Sequence, residues 1–287
     1  MLSSSADAAF NVFVDALNWQ ATETIDWVYL NSDSTPTQTI NYQTVDFNYK
    51  PGFRLGLGYE GKLDSNLYYT GYHTEARDSQ TGNLTSAFLG ATAVRPSNGY
   101  FYQSGQVAFI INYNMFDWDL GKRFKITPGF TLRPLVGIEG GWINQSVDTA
   151  FQGTVSVTEN ITNNFAGVGP KFGIETSYEI FSRCNGHLSL LANIATSYLW
   201  GHWTVKDFVY NTGTADDSFS VPSRNFGAVS VQGKVGANFD YKKLSVSLAY
   251  EMSDWFDQFQ VMDDDTGTHN NDLTLQGLSL RLAYRFS

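Results

Sequence analysis

Residues 130–145, FTLRPLVGIEGGWINQ, limit the fold more than any other stretch of this chain. Every second residue from Phe130 is apolar or small: Phe130, Leu132, Pro134, Val136, Ile138, Gly140 and Trp142. Those between them, Thr131, Arg133, Leu135, Gly137, Glu139 and Gly141, are mostly small, polar or charged in both signs. Side chains of a strand alternate between its two faces, so a period of 2 with unlike faces predicts a strand between two unlike media. The run of about a dozen residues exceeds the ~5–6 of an ordinary soluble strand and suits a tilted strand crossing a bilayer. Pro134 removes a backbone donor, and the sequence offers no reason for it.

The same alternation recurs along the chain. Leu278, Leu280, Leu282, Tyr284 and Phe286 alternate with Ser279, Arg281, Ala283 and Arg285. Leu244, Val246, Leu248, Tyr250 and Met252 alternate with Ser245, Ser247, Ala249 and Glu251, and Val235, Phe239 and Tyr241 with Lys234, Asn238 and Asp240. Leu188, Leu190, Ile194, Tyr198 and Trp200 form another greasy face, and Val168, Phe172, Ile174 and Tyr178 oppose Lys171, Gly173 and Glu175. Upstream, Phe53, Leu55, Leu57 and Tyr59 oppose Arg54 and Glu60, and Val107, Phe109, Ile111, Tyr113 and Met115 are read as lipid-facing against Gln106, Asn112 and Asn114. Two strands are less clean. In NLYYTGYHT (66–74) either parity fits lipid, and in 10–19 the inward set of Asn11, Phe13, Asp15, Leu17 and Trp19 would hold three large apolar groups.

Connections alternate as well. Short ones fall at 61–65, 117–128, 179–186 and 240–243, and long ones at 22–50, 78–102, 147–163, 205–224 and 257–272. Short periplasmic turns and long outer loops are the habit of outer-membrane barrels. The fold class is therefore all-β: a transmembrane antiparallel up-and-down β-barrel of ten strands, with both ends periplasmic. If DWVYL and TINYQTVDF within 22–50 form a further hairpin, the count becomes twelve. The domain reading is a disordered segment over 1–9 followed by the barrel over 10–287.

Composition agrees. Aromatic residues make up 15% and there are only 7 Pro, while mean hydropathy is −0.24, as befits residues divided between lipid and water. Aromatics end the apolar faces at Trp142, Tyr178, Tyr198, Trp200, Tyr241, Tyr250, Tyr284 and Phe286, matching interfacial girdles. A water-soluble sandwich also alternates, but with shorter strands and without such girdles. No apolar run is long enough for a membrane helix. MLSSSADAAF lacks the basic start and apolar centre of a secretion leader, so a leader is expected to have been removed. A net charge of −10 argues against nucleic acid as a partner, and 1 Cys with 4 scattered His offers no disulfide and no metal spacing.

Four segments carry a family resemblance: PGFRLGLGY (51–59), LRPLVGIEGGWINQ (132–145), NNFAGVGPKFGIET (163–176) and LSLLANIATSYLWG (188–201). In this order they resemble the Legionella-type major outer-membrane-protein family, over about residues 10–286. The resemblance implies a pore-forming outer-membrane β-barrel. This chain departs from the family pattern at Ala166, where the family tends to carry Trp, and at Ser287 after the terminal Phe.

The inward set holds Arg54, Arg133, Lys171, Lys234, Arg281 and Arg285 against Asp15, Glu60, Glu139, Glu175, Asp240 and Glu251. Barrel closure sets the first strand beside the last, so Asp15 can meet Arg281 or Arg285 with Arg54 on its other flank. Charged rings in a water-filled lumen set ion selectivity; the alternative is that the charges pair and fill the interior. Inward glycines at 56, 58, 137, 141, 167, 169, 173 and 236 favour a narrow conducting pore over a closed plug. The function expected is a porin-like passage for small hydrophilic solutes or ions; the runner-up is a non-conducting adhesin or structural protein acting through acidic outer loops. Partners are outer-membrane lipid and lipopolysaccharide, with a host-surface ligand as a further candidate. No enzyme and no cofactor are expected: His73, His202 and His269 with Asp207 or Asp263–Asp265 lack a local catalytic signature, and DDDTGTHNND lacks the spacing of a calcium loop. Cys184 falls in a short turn.

Overall fold

The computed structural model describes residues 9–23, 25–34, 37–87, 102–183, 186–211, 217–263 and 267–286. Among them thirteen strands follow one another: β1 (Ala9–Thr22), β2 (Asp26–Ser34), β3 (Thr37–Thr44), β4 (Lys50–Glu60), β5 (Asp64–Ser86), β6 (Tyr102–Gly121), β7 (Phe124–Thr127), β8 (Phe130–Gln152), β9 (Ser156–Arg183), β10 (Gly186–Asn211), β11 (Asp217–Tyr241), β12 (Leu244–Asp263) and β13 (Gly267–Phe286). Ten of them form a closed antiparallel barrel, with β1 on β13 and β5 on β6 completing the ring; β2, β3 and β7 stand outside the wall. The hairpin read from DWVYL and TINYQTVDF does form, yet the barrel stays at ten. The reason lies in β4, which pairs with β1 on one side and β5 on the other, so that no free edge remains for insertion (Arg54 faces Asp15 and Thr70). β2 pairs with the wall through Val28–Leu30 against the far end of β5.

In the half nearer the short turns, the expected faces are the observed ones. Val14, Leu55, Leu57, Val136, Ile138, Phe172, Ile194, Val235, Leu248 and Leu280 all point outward and are exposed, and the eight residues read as girdle aromatics are exposed with them. Tyr68 lies inward and Leu67 outward, which settles the ambiguous strand. In β1, Phe13, Leu17 and Trp19 are buried inside as expected. Pro134 also finds its reason. Its carbonyl accepts from Lys122 on the side where β6 has ended at Gly121 and β7 has not yet begun, so the missing N–H falls in a gap of the ladder.

Beyond this belt the barrel turns inside out. On β8 the inward residues change from Arg133, Gly137 and Glu139 to Ile143, Val147 and Phe151, while outward positions become polar, as at Asn144, Ser146 and Asp148. Val157, Ile161 and Phe165 of β9, Leu199 and Trp203 of β10, Trp255 and Phe259 of β12, and Leu273 and Leu275 of β13 make the same change. Water now lies outside the wall, so the hydrophobic effect draws the apolar side chains inward. This corrects the reading of β6, whose Val107, Phe109, Ile111, Tyr113 and Met115 are not lipid-facing but are all 4% exposed or less, inside the barrel. It also corrects the long connections at 147–163, 205–224 and 257–272, whose described residues are largely strand, since β8 runs to Gln152 and β9 begins at Ser156, and the start of 78–102, since β5 continues to Ser86.

Candidate functional site, a charged vestibule beneath an apolar plug

The belt encloses a cavity of about 680 Å³, open toward the short turns. Ten of the expected lumen residues line it: Arg54, Glu60, Arg133, Lys171, Glu175, Lys234, Asp240, Glu251, Arg281 and Arg285. Asp15 and Glu139, the other two, have no solvent exposure at all.

The charges are organised in three groups. Around Asp15, Arg281 Nε donates to Oδ1 at 2.7 Å and Arg54 Nη1 to Oδ2 at 2.9 Å. Arg54 reaches on to Glu251 Oε2 at 3.0 Å, and Glu251 also accepts from Lys234 Nζ at 2.7 Å and Ser279 Oγ at 2.7 Å. Arg281 lies over the Phe13 ring, 3.9 Å from its centroid, which accounts for a large aromatic on an inward face. Closure of β1 onto β13 thus brings Asp15 to Arg281, whereas Arg285 pairs with Glu60 at 2.8 Å. On the opposite wall, Lys171 Nζ donates to Asp117 Oδ1 at 2.5 Å and to the Tyr68 hydroxyl at 2.8 Å, with Asp119 at 3.6 Å. At the mouth, Arg133 bridges Glu175 at 2.7 Å and Asp64 at 3.5 Å, and Arg123 joins Asp64 at 2.9 Å. Glu139 accepts from Gln232 Nε2 at 2.7 Å rather than from a cation. Asp240 accepts from Asn238 at 2.9 Å.

Asp64, Tyr68, Asp117, Asp119 and Arg123 are site residues that the sequence reading left out. The pattern of connections along the chain puts Asp117, Asp119 and Arg123 in a turn over 117–128, but β6 continues to Gly121. The signal was there: Phe116, Trp118 and Leu120 alternate with the two aspartates, keeping the period of 2.

The inward glycines do not add empty lumen. A Cβ on Gly169 would lie 1.8 Å from the Tyr198 carbonyl oxygen, and one on Gly137 would lie 2.3 Å from that of Trp118. Glycine there lets neighbouring backbone approach.

Above the vestibule the interior is packed. Trp19 and Tyr113 form its ceiling, in contact with Tyr72 and Trp255 (ring centroids 5.8 to 6.4 Å apart). Higher up, the connection between β1 and β4 folds inward: Trp27 packs on Phe151 at 5.9 Å and Phe47 on Phe109 at 5.2 Å. Gln20 Nε2 secures it by donating to the Phe47 carbonyl at 2.7 Å.

Two carboxyls meet in this outer half, Asp207 of β10 and Glu159 of β9, hydrogen-bonded to each other. Burial pushes Asp207 up to about 7, against the opposing pull of that hydrogen bond. The unfolded chain releases the proton at about 3.9, so the stabilisation is complete below that pH and is lost as pH rises through 7. Thermal denaturation should therefore show the outer half weakening from pH 4 toward 7 to 8, with Asp207→Asn flattening the profile; an unchanged profile in that variant would rule the pair out as its source.

His73 and His202 lie on the exterior, paired with Asn112 at 2.7 Å and Asn225 at 3.0 Å. Asp264, Asp265, Cys184, residues 1–8 and the side chains of Asp263 and His269 lie outside the described residues.

A family model described as the Legionella pneumophila major outer membrane protein precursor matches residues 3–286. No curated protein sequence matches the chain. Among solved structures, the outer membrane protease OmpT from Escherichia coli is similar at 11% identity and a TM-score of 0.51, covering 99% of each chain. That likeness is one of fold alone. The Pseudomonas putida toluene transporter TodX is 9% identical at a TM-score of 0.32, over 98% of this chain and 90% of that one.

Proposed function

The chain belongs to the Legionella major outer membrane protein family and is an outer-membrane β-barrel, and on that premise we propose that it is a porin-type protein in which a charged aqueous vestibule is gated by an apolar plug. The observation that carries this reading is the division of the interior. The inner half is a charged cavity of about 680 Å³, whereas the outer half is filled by side chains such as Trp27, Trp203, Trp255 and Phe259, each 1% exposed or less. Hydrophobic constrictions gate pores by excluding water, and ions do not cross dry packing. Part of the plug, the side chains of Ile25, Trp27, Val45 and Phe47, comes from the connection between β1 and β4. Its flanks already meet where Trp19 pairs with Lys50, so the barrel can close without it. Small hydrophilic solutes and ions are the proposed cargo, and outer-membrane lipid and lipopolysaccharide the surroundings of the exposed belt.

Planar-bilayer recording of refolded protein tests this. The native chain should give rare, small conductance steps, and a variant with a short Gly-Ser linker in place of residues 25–47 should give frequent, larger ones. Silence from both would support the second reading, favoured by the packed outer half, of a non-conducting surface or structural barrel. Frequent large steps from the native chain would overturn the plug.

A further inference from the structure

The centre of the plug contains polar groups that apolar packing does not call for. Glu23, Gln145, Asn163 and Gln258 are 4%, 1%, 0% and 0% exposed. They are connected. Gln145 Nε2 donates to Glu23 Oε2 at 2.5 Å, Gln145 and Asn163 face each other across β8 and β9, and Asn163 Nδ2 donates to the Gln258 carbonyl at 3.1 Å. Each still has an oxygen without a protein partner: Glu23 Oε1, Gln145 Oε1, Asn163 Oδ1 and Gln258 Oε1. Within this set the unpartnered donor is Gln258 Nε2. A buried polar atom left unmatched costs about 1–3 kcal/mol. Four acceptors against one donor therefore mark a place for a guest that brings positive charge.

We propose that Glu23, Gln145, Asn163 and Gln258 bind a calcium ion at the centre of the plug. All four unpartnered acceptors are carboxylate or amide oxygens, the hard ligands calcium takes in flexible geometry; magnesium holds its waters, and softer metals want nitrogen or sulfur. Glu23 immediately precedes the inserted segment, while Gln145, Asn163 and Gln258 belong to β8, β9 and β12. The ion thus ties that segment to three strands of the wall. Calcium binding here does not depend on whether the barrel conducts.

The test uses the full chain refolded in detergent without lipopolysaccharide and stripped with a chelator. Equilibrium dialysis with labelled calcium should find one ion per chain, and millimolar calcium should raise the thermal midpoint by several degrees. Glu23→Gln should abolish both effects. Gln258→Met, which keeps the volume and so preserves a folded barrel should Glu23→Gln not refold, should weaken binding roughly tenfold or more. Asp148→Asn, at an exposed acid on the outer face, should bind as the native chain does. No bound calcium, an equal response in the native chain and Gln258→Met, or the same shift from sodium or potassium chloride alone would overturn the proposal.

Discussion

Lys171→Met is expected to destabilise the refolded barrel by about 3–5 kcal/mol, the cost of removing one partner from a buried ion pair. Lys171, Asp117 and Asp119 are 2%, 4% and 4% exposed, and the Lys171 ammonium lies between the two carboxylates and the Tyr68 hydroxyl. Without it, two buried negative charges face each other. Adding Asp117→Asn to Lys171→Met should recover part of the loss, because one of those charges disappears with its repulsion. Urea titration in detergent, with the folded and unfolded bands resolved on unheated gels, would measure both. A loss no greater than that of a surface pair, about 0–1 kcal/mol, would show that water reaches the group and that the vestibule extends past it.

Val136→Arg should cost about 2–4 kcal/mol if the residue sits near the bilayer midplane, and less toward a rim. Val136 is 53% exposed on the outer face of the belt, so the guanidinium would meet hydrocarbon. Asn193→Arg is the matching inward change. Asn193 lines the vestibule and donates to Glu175 at 3.4 Å, so a cation there gains a carboxylate neighbour and should fold while narrowing the cavity. Gly137, adjacent to Val136 but inward, does not serve as the control, since any side chain there collides with the Trp118 carbonyl. Refolding yield into lipid vesicles separates the two variants. Tolerance of Val136→Arg together with failure of Asn193→Arg would mean that the faces of the wall are exchanged.

The belt was legible because lipid and water impose opposite demands on alternate residues, and a period of 2 displays both at once. That is why Arg133, Glu139 and Val136 could be placed from the residues alone, and why ten strands could be counted. That Asp15 meets Arg281 or Arg285 followed too, since an even up-and-down barrel must seat its first strand against its last; the register in the structure selects Arg281. Periodicity gives the faces of a strand, however, and not the medium each face meets. On β6 the same inward parity holds Ile111 and Met115 and then Asp117 and Asp119, and only the height of each residue relative to the membrane decides which is favoured. Height depends on where ten strands emerge together, which is a property of the assembled ring. The glycines illustrate the same limit: Gly169 reads as empty space in the sequence, while the neighbouring strand places the Tyr198 carbonyl there. The plug lies furthest from sequence reasoning. Trp27 meets Phe151, and Glu23 meets Gln145, only because a connection over 22–50 folds into a barrel whose interior has no local sequence signal. Alternation along the chain determined the wall; what fills it was decided by contacts between residues far apart in the sequence, as between Glu23 and Gln145, whose separation is 122.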